Sequence, residues 1–289
     1  MKSRKRRFKI EPYIYIAPAL LYFTVFSFYP FINTVISTFF KVTANGEVKE
    51  FVGFYNYINV LTDTAFIKSV GNTIIYVILA SPVAIMIALI LAVLANKKTR
   101  TSSLYETMFS LTMAMSMSVT AMIFKILYNP NIGLINKVLG TKINWLNDER
   151  YAMVAVSFIA VWMNIGFNFL FLLAAIRGVS PELLESADID GANLFQKVKS
   201  IILPIISPTV FFLICNSLAK NMMMSGLPIM LTEGGPNGST STMIYYMYKQ
   251  AFSNMNYNNA YAAAVITFVM SLIAILVSFA FEKKGVHYT

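Results

Sequence analysis

Six long apolar segments constrain this chain more than any other feature. A helix of about 20 apolar residues is long enough to cross the hydrocarbon core of a bilayer, and it satisfies its own backbone hydrogen bonds there. The sequence therefore predicts an all-α, polytopic membrane protein with six transmembrane helices. The predicted spans are 13–36, 70–95, 104–128, 152–176, 201–227 and 260–281.

The composition excludes an ordinary soluble domain. Hydrophobic residues make up 57% of the chain and charged residues 12%, whereas a soluble domain carries about 25% charged residues. Neither an internal repeat nor a Gly/Ser-rich or Pro-rich linker divides the sequence, so we expect one membrane domain over 1–289. The only cysteine, Cys215, lies in a predicted span, where a buried apolar role is expected.

Lys and Arg are concentrated in alternate loops and in the tails. By the positive-inside rule this predicts that both termini are cytoplasmic, as tails 1–12 and 282–289, together with the loop 177–200. The first apolar run is too long for a cleavable signal, so we expect a retained helix. The net charge of +10 is divided among short loops, which argues against a nucleic-acid partner. The residues that fix this orientation are Lys2, Arg4, Lys5, Arg6, Arg7, Lys9, Lys97, Lys98, Arg100, Lys283 and Lys284.

The charged loop between the fourth and fifth predicted spans contains its own helix signals. Ser180 is a good N-cap, Pro181 suits the first helical position, and carboxylates in the first turns favour the positive end of the helix dipole. Asp190-Gly191 is a turn signal, because glycine tolerates a positive φ. We therefore expect a short helix from Pro181, a turn, and a second short helix over about 193–200.

This loop resembles the EAA loop of the membrane-spanning subunits of bacterial ABC importers. The family pattern is Glu-Ala-Ala, then Asp-Gly-Ala three residues on, closing with Ile-x-Leu-Pro. The chain keeps every spacing and replaces only one Ala, by Ser186. An isolated Asp-Gly would indicate no more than an ordinary helix-turn-helix loop, but about eight matched positions in one register favour the resemblance.

The resemblance implies that this loop docks in a cleft of an ATP-binding subunit and couples its closure to rocking of the spans. Glu185 would contact the partner, Ala187 would allow close approach, and Gly191 would permit the turn. The implied coupling residues are Glu185, Ser186, Ala187, Asp188, Asp190, Gly191 and Ala192.

A second resemblance lies before the last span. Glycines and a proline would break a helix at this depth, which is tolerable only in water or where protein covers the backbone. The segment Leu-Thr-Glu-Gly-Gly-Pro at 231–236 resembles a loop found in one of the two permease subunits of carbohydrate importers. It implies an external loop containing Gly234, Gly235 and Pro236. A Gly-x-x-Asn-Tyr sequence at 53–57 and the pair Asn72-Thr73 also resemble this family.

The chain contains no recognisable energy-coupling site of its own. A phosphate-binding loop is absent from the sequence, and no Asp or Glu lies well within a predicted span. Proton- and sodium-driven carriers usually place titratable groups at mid-membrane, but the sole His287 is in the predicted C-terminal tail. The alternative functions are an ion-coupled secondary carrier and a membrane enzyme. Each would need titratable or catalytic groups within the membrane, and the predicted spans of this chain lack them. We expect no catalytic residue, metal site or cofactor in this chain.

Together the resemblances imply a type I permease subunit of a binding-protein-dependent carbohydrate ABC importer. Such a chain is a multi-pass protein of the bacterial cytoplasmic membrane, in contact with membrane lipid. Its implied partners are a second, homologous permease, two ATP-binding subunits that hold ATP and Mg²⁺, and an extracytoplasmic solute-binding protein.

Polar residues inside the predicted spans are candidate substrate contacts. Asn164 and Asn168 share a helix face, as do Asn216 and Lys220, and Ser217 and Asn221. Interhelical hydrogen bonding is the alternative for the amides. Lys220 lies near the middle of the fifth predicted span, where an unpaired ammonium costs about 3 kcal/mol. It should face water, a polar group or an acidic substrate unless it snorkels to the interface.

Aromatic residues near the last span could stack on sugar rings. The candidates are Tyr245, Tyr246 and Tyr248, with Trp162, and packing is the alternative role. Family members often have Phe-Asp before the final loop, where this chain has Ser225-Gly226. That departure suggests a roomier cavity.

Overall fold

The computed structural model describes residues 11–96 and 102–285 of the chain. All of the basic residues behind the predicted orientation lie outside the described side chains, as does His287: Lys2, Arg4, Lys5, Arg6, Arg7, Lys9, Lys97, Lys98, Arg100, Lys283 and Lys284.

The described chain is mainly helical. Three short π-helical turns, at Thr24–Phe28, Val198–Ile202 and Lys249–Ser253, and a 3₁₀ turn at Leu111–Ala114 interrupt or extend the helices. The helices are α1 (Glu11–Phe23), α2 (Tyr29–Ser37), α3 (Tyr55–Thr62), α4 (Thr64–Ala95), α5 (Ser102–Ser110), α6 (Met117–Leu127), α7 (Leu134–Leu139), α8 (Ala152–Arg177), α9 (Pro181–Ile189), α10 (Leu194–Lys197), α11 (Leu203–Met222), α12 (Gly226–Leu231), α13 (Met243–Tyr248) and α14 (Tyr257–Gly285).

Five helical segments within the described residues are long and apolar enough to cross a membrane. A sixth candidate is the pair Ser102–Ala114 and Met117–Leu127, whose two halves meet at an angle of 102°. The six predicted spans are therefore present, but the third is sharply bent rather than straight. The five unbroken segments are Ile14–Ser37, Thr64–Ala95, Ala152–Arg177, Leu194–Met222 and Tyr257–Ala280.

The second span begins six residues earlier than predicted because Asp63 caps it. The Asp63 side chain accepts a hydrogen bond from the Ala65 backbone N–H at 2.8 Å. This satisfies one of the free donors at a helix start and holds the polar first turns in helical form.

The fifth span differs from its prediction at both ends. The helix expected over 193–200 is not separate but continues into the fifth span. No helix breaker lies between the two segments, and a π-helical turn precedes Pro204. A π-helical turn changes the backbone hydrogen-bond pattern locally, which accommodates a proline that has no N–H to donate. The span ends at Met222 rather than at residue 227. A break at 223–225 separates it from α12.

A two-stranded hairpin follows the first span and adds a small β element that the all-α prediction did not contain. Strands β1 (Phe40–Val42) and β2 (Val48–Phe51) are antiparallel. The Asn258 amide fastens the hairpin to the start of α14, since it accepts from the Val42 N–H at 2.7 Å and donates to the Val42 carbonyl at 2.9 Å. With α3, the hairpin forms an ordered cap between the first two spans.

Close packing of α4 along α8 forms the centre of the bundle. Ala80 packs in a cluster with Ile159, and Ala92 packs in a second cluster with Ile176, so the two helices run in the same direction. Small residues at every fourth position let helices approach closely in a membrane. The buried stripe on α4 consists of Ala80, Ala84, Ala88 and Ala92.

The bundle has two distinct ends, which we name after their loops. The Gly191 end carries the segment from α9 to α10, next to the cluster that contains Ala95 and Val179. The Gly234 end carries the loop 232–242 and the hairpin, next to the start of α4.

Gly166 allows the bent third span to lie directly on α8. A Cβ at this position would overlap the Thr112 hydroxyl and would lie 2.8 Å from the Phe109 carbonyl. The Gly166 N–H also donates to the Thr112 Oγ1 at 3.1 Å. The absence of a side chain at Gly166 therefore fixes the 3₁₀ turn against α8.

Gly166→Ala should destabilise the protein, and Gly71→Ala is its matched control. Gly71 is also helical, but an added Cβ there meets nothing within 4 Å. We expect Gly71→Ala to be neutral or to stabilise by up to about 1 kcal/mol through helix propensity. We expect Gly166→Ala to cost about 1–3 kcal/mol through overpacking. Thermal unfolding midpoints of the purified protein in detergent measure both, and equal midpoints would contradict the close contact.

Candidate functional site

The predicted coupling loop at the Gly191 end is a pair of helices joined by a defined turn. Gly191 has φ +75°, a left-handed conformation that ends α9 at little cost only because the residue is glycine. The turn is closed by the Gly191 N–H, which donates to the Asp188 carbonyl at 3.0 Å. The Ala192 N–H donates to the Ala187 carbonyl at 2.9 Å.

Side-chain bonds hold the two sides of this turn together. Asn193 and Gln196 form a capping box, in which each side chain accepts from the other residue's backbone N–H, at 3.0 and 2.8 Å. The Lys197 ammonium pairs with the Asp188 carboxylate across the turn. The start of α10 is therefore fixed relative to the end of α9.

The N-cap of α9 differs in detail from the sequence expectation. Ser180 occupies the N-cap position, but its hydroxyl donates to the Glu182 carboxylate and does not cap the helix backbone. This contact lowers the pKa of the Glu182 carboxyl. The predicted position is confirmed, and the predicted capping bond is wrong.

The predicted coupling residues do not all face outward. Ala187 is 8% exposed and packs into the bundle, and Ala192 is half-buried. The other predicted residues of the loop, Glu185, Ser186, Asp188, Asp190 and Gly191, are exposed. Ala187 is therefore largely covered by the chain itself in this structure.

Exposed apolar side chains surround the turn, and sequence reasoning missed them. Ile189 is 88% exposed and Phe195 is 73% exposed, and Leu183 and Leu194 are also exposed. Large apolar side chains grouped on a polar loop indicate an interaction surface. The available signal was an Ile between two aspartates and a Phe directly after the second helix start.

A second candidate site is a cavity of about 210 Å³ between the bent third span, α8 and the end of α11. It combines four polar side chains, Thr112, Asn164, Lys220 and Asn221, with a wall rich in methionine. Its lining consists of Thr112, Met113, Met115, Met117, Ala160, Met163, Asn164, Phe167, Lys220, Asn221 and Met224.

Lys220 is the only cation among the residues that line this cavity. It lies in the last turn of α11 and not near the middle of a span, because the helix ends at Met222. Its Nζ lies 5.5 Å from the centroid of the Phe167 ring, within the range of a cation–π contact. The ammonium is exposed to the cavity side of the protein and has an aromatic neighbour.

Two of the predicted asparagines line the cavity with Lys220. Asn164 donates to the Ala160 carbonyl on its own helix at 2.7 Å. Asn221 donates to the Ser81 hydroxyl at 2.8 Å, while its buried Oδ1 has no hydrogen-bond partner among the described residues. Because that oxygen is buried, a ligand or a water molecule would reach it only after the cavity wall moves.

Asn168 and Asn216 do not line the cavity. Asn168 is buried, and its Nδ2 has no partner among the described residues. Asn216 is half-buried on α11. The sequence grouped these two residues with the other candidate substrate contacts because of their spacing on a helix face. In the fold, the packing of neighbouring helices separates them from the cavity.

The expected extra room at Gly226 is already filled. A Cβ at Gly226 would overlap the Met117 Sδ and would lie 3.4 Å from its Cε. The thioether of Met117 therefore occupies the space that the missing side chain leaves, and the expectation of a roomier cavity is wrong.

Tyr245 and Tyr246 lie at the Gly234 end and are used to hold its loop. The Tyr245 hydroxyl donates to the Glu233 carbonyl at 2.5 Å, and the Tyr246 hydroxyl donates to the Asp63 carboxylate at 2.6 Å. Both rings are buried, and neither lines the Lys220 cavity. Gly234 has φ +75°, and a Cβ there would overlap the Tyr245 ring.

The pair Asn72-Thr73 clasps the same loop. The Asn72 amide donates to the Gly238 and Ser241 carbonyls at 2.7 and 2.9 Å. The Thr73 hydroxyl accepts from the Met243 N–H at 2.9 Å. These bonds satisfy backbone groups of the glycine-rich loop, which explains how it remains ordered at the end of a bundle.

A charged contact completes the clasp. Lys68 donates to the Glu149 carboxylate at 3.1 Å and to the Asn237 carbonyl at 2.7 Å. Hydrogen bonds from Lys68 and Asn237 lower the pKa of the Glu149 carboxyl. The start of α4, the turn before α8 and the loop 232–242 are thus joined at one point.

The described residues contain no group of three or more His, Cys, Asp or Glu side chains arranged to hold a metal ion.

Comparison with known proteins gives closely related sequences over nearly the whole chain. The sn-glycerol-3-phosphate transport system permease protein UgpA of Agrobacterium fabrum is 32% identical over 284 residues, which cover 97% of each chain. The protein of the same description from Pectobacterium atrosepticum is 32% identical over 282 residues, which cover 96% of this chain and 95% of the relative.

Solved structures share the fold. A chain of a bacterial alginate ABC transporter, crystallised with an alginate pentasaccharide-bound periplasmic protein, matches with a TM-score of 0.82 and 22% identity, over 94% of this chain and 93% of the other. A chain of a bacterial ABC transporter involved in the import of the acidic polysaccharide alginate matches with a TM-score of 0.81 and 23% identity, over 94% of each chain.

The family model described as "binding-protein-dependent transport system inner membrane component" matches residues 65–284, from the start of α4 to the end of α14. This range includes the Gly191 turn, the Lys220 cavity and the loop at Gly234. The chain therefore belongs to the family of inner membrane components of binding-protein-dependent transport systems, as a multi-pass permease subunit.

Proposed function

We propose that this permease is part of an ATP-driven importer for a carbohydrate or carbohydrate derivative that carries negative charge. The observation that carries the proposal is the Lys220 cavity, in which one ammonium lies beside two amides. The curated relatives are described as transporting sn-glycerol 3-phosphate, and the structural neighbours as importing alginate. Both of those ligands are anionic, which agrees with a cationic contact in this chain.

The proposed orientation places the Gly191 end in the cytoplasm, with both termini on that side. Among the described residues, Arg177, Lys197 and Lys199 lie at or near this end. At the Gly234 end, acidic residues such as Glu149 and Glu233 offset the lysines. The positive-inside rule supports this assignment.

The Gly191 loop is proposed to dock into ATP-binding subunits. Its exposed apolar residues can fill a cleft, and its exposed carboxylates can pair with basic groups around that cleft. Because the capping box and the Asp188–Lys197 pair fix its shape, a force on α9 is passed to α11 rather than absorbed in the loop. The spans α4, α8 and α11 contain no Asp or Glu that an ion gradient could titrate.

The complete importer would contain a second, homologous permease, two ATP-binding subunits and an extracytoplasmic solute-binding protein. ATP and Mg²⁺ would be held by the ATP-binding subunits, where hydrolysis would occur. This chain would form half of the pathway. The solute-binding protein would deliver the ligand at the Gly234 end, where the clasped loop gives a defined surface.

The left-handed turn at Gly191 should be required for coupling to ATP hydrolysis. Gly191→Val should remove at least about nine-tenths of the ATPase stimulation by ligand-loaded solute-binding protein, because a β-branched residue at φ +75° must distort the docking loop. Gly191→Asn is the matched control, since Asn tolerates this conformation and an added Cβ meets nothing within 4 Å. ATPase activity of the purified complex in lipid is the measurement.

The basal ATPase rate and the co-purification of the ATP-binding subunits separate two causes of lost stimulation. We expect weaker co-purification with Gly191→Val than with Gly191→Asn. Equal stimulation in both variants would remove the turn from the coupling mechanism.

Lys220 should be required for uptake of an anionic ligand. Lys220→Met should lower the uptake of radiolabelled sn-glycerol 3-phosphate by at least about tenfold, equivalent to about 1.4 kcal/mol, because the anionic group loses its only charged partner in the cavity lining. Lys220→Arg keeps the charge and should retain more uptake than Lys220→Met. Reconstituted proteoliposomes with the complete complex provide the measurement.

Lys137→Met is the matched control for this experiment. Lys137 also lies in the last turn of its helix, is exposed, and does not line the cavity. We expect unchanged uptake for Lys137→Met, and unchanged complex assembly for every variant. If Lys220→Met behaves like Lys137→Met, Lys220 is not a ligand contact.

A further inference from the structure

Two breaks in the transmembrane helices meet beside the Lys220 cavity. The third span breaks before Met117, where the Ser116 hydroxyl accepts a hydrogen bond from the Val119 N–H at 3.3 Å to start α6. The fifth span breaks after Met222, and Gly226 begins the short helix that follows. Discontinuous helices of this kind place mobile side chains and helix ends next to a transport pathway.

Met117 occupies the contact between the two breaks. Its thioether covers Gly226, where any added Cβ would overlap the sulfur. On one side Met117 packs against the buried cluster that contains Leu227, and on the other side it forms part of the cavity wall. Methionine is unbranched and adaptable, so this part of the wall can move while the neighbouring helices stay in place.

We propose that Met117 and Gly226 form a size filter for the ligand of the Lys220 cavity. This inference rests on the proposed function, in which that cavity is part of the pathway. The cavity, at about 210 Å³, is below the range of roughly 300–1,000 Å³ for pockets that hold drug-sized ligands. The ligand class that fits is a small anionic carbohydrate derivative, of triose to monosaccharide size.

The packing predicts the direction of each substitution. Gly226→Ala takes the space that the Met117 sulfur occupies, and we expect the side chain to move toward the cavity, because on its other side it packs against the cluster that contains Leu227. Met117→Ala removes the plug and widens the cavity. In the double variant the methyl group added at position 226 has no sulfur to displace, so the cavity should return toward its original width.

A labelling experiment tests the filter without a known substrate. Cys215 is the only cysteine in the chain, so Cys215→Ser with Asn164→Cys gives a single thiol in the cavity. Asn164 hydrogen-bonds only to its own helix, at Ala160, which makes it suitable for replacement. The probes are methyl and benzyl methanethiosulfonate, which share their chemistry and differ in size. Mass spectrometry of the full purified complex measures the two labelling rates.

In this background, Met117→Ala should raise the benzyl-to-methyl rate ratio by about tenfold, the lower end of what one or two methylene groups change in a pocket. Gly226→Ala should lower the ratio, and the double variant should return it to within about threefold of the starting value. Met122→Ala is the matched control, because Met122 lies on the same helix, is 70% exposed and does not line the cavity.

An unchanged ratio in Met117→Ala, or a double variant that resembles Gly226→Ala alone, would overturn the filter. Loss of a variant from the assembled complex is detected by co-purification, and Met117→Ala alone then decides, because it removes side-chain atoms and adds no overlap at Gly226. The labelling needs no transport. A changed ratio, with no ATP-dependent uptake by the complex that contains the unsubstituted chain, would therefore contradict the proposed function and leave the filter geometry intact.

Discussion

The close packing of α4 on α8 is the interaction on which the rest of the structure depends. Alanines at every fourth position of α4 remove the bulk that would separate the helices. The same two helices anchor both functional ends. Asn72, near the start of α4, holds the loop at Gly234, and α8 leads directly into the loop at Gly191. In the proposed mechanism, this pair carries a displacement from one end of the bundle to the other.

Against this continuous pair, the third and fifth spans are interrupted. Gly166 lets the bent third span reach the surface of α8, and the end of α11 brings Lys220 to the same level. The cavity exists because two helices stop there, so loop and helix-end residues form its walls together with one regular face of α8, at Ala160, Met163, Asn164 and Phe167. That is a suitable place for a ligand contact that must form and be released in each transport cycle.

Much of the topology could be predicted from the sequence, because long apolar segments and turn residues act locally. The six spans, the helix from Pro181 and the turn at Gly191 are of this kind. Properties that depend on distant partners were not predictable. Helix-face spacing could not separate Asn168 from the cavity or place Tyr246 beside Asp63. The cavity width at Gly226 depends on Met117, a residue more than a hundred positions away in the chain.

In the proposed function, ATP hydrolysis by partner subunits, and not an ion gradient, drives import through this chain. The most direct measurement is initial uptake of labelled sn-glycerol 3-phosphate by proteoliposomes containing the complete complex, with loaded solute-binding protein outside and ATP inside, in the presence and absence of ionophores. We expect uptake that requires internal ATP and the solute-binding protein and that persists when ionophores collapse the proton and sodium gradients. Uptake that continues without ATP and stops with ionophores would contradict it.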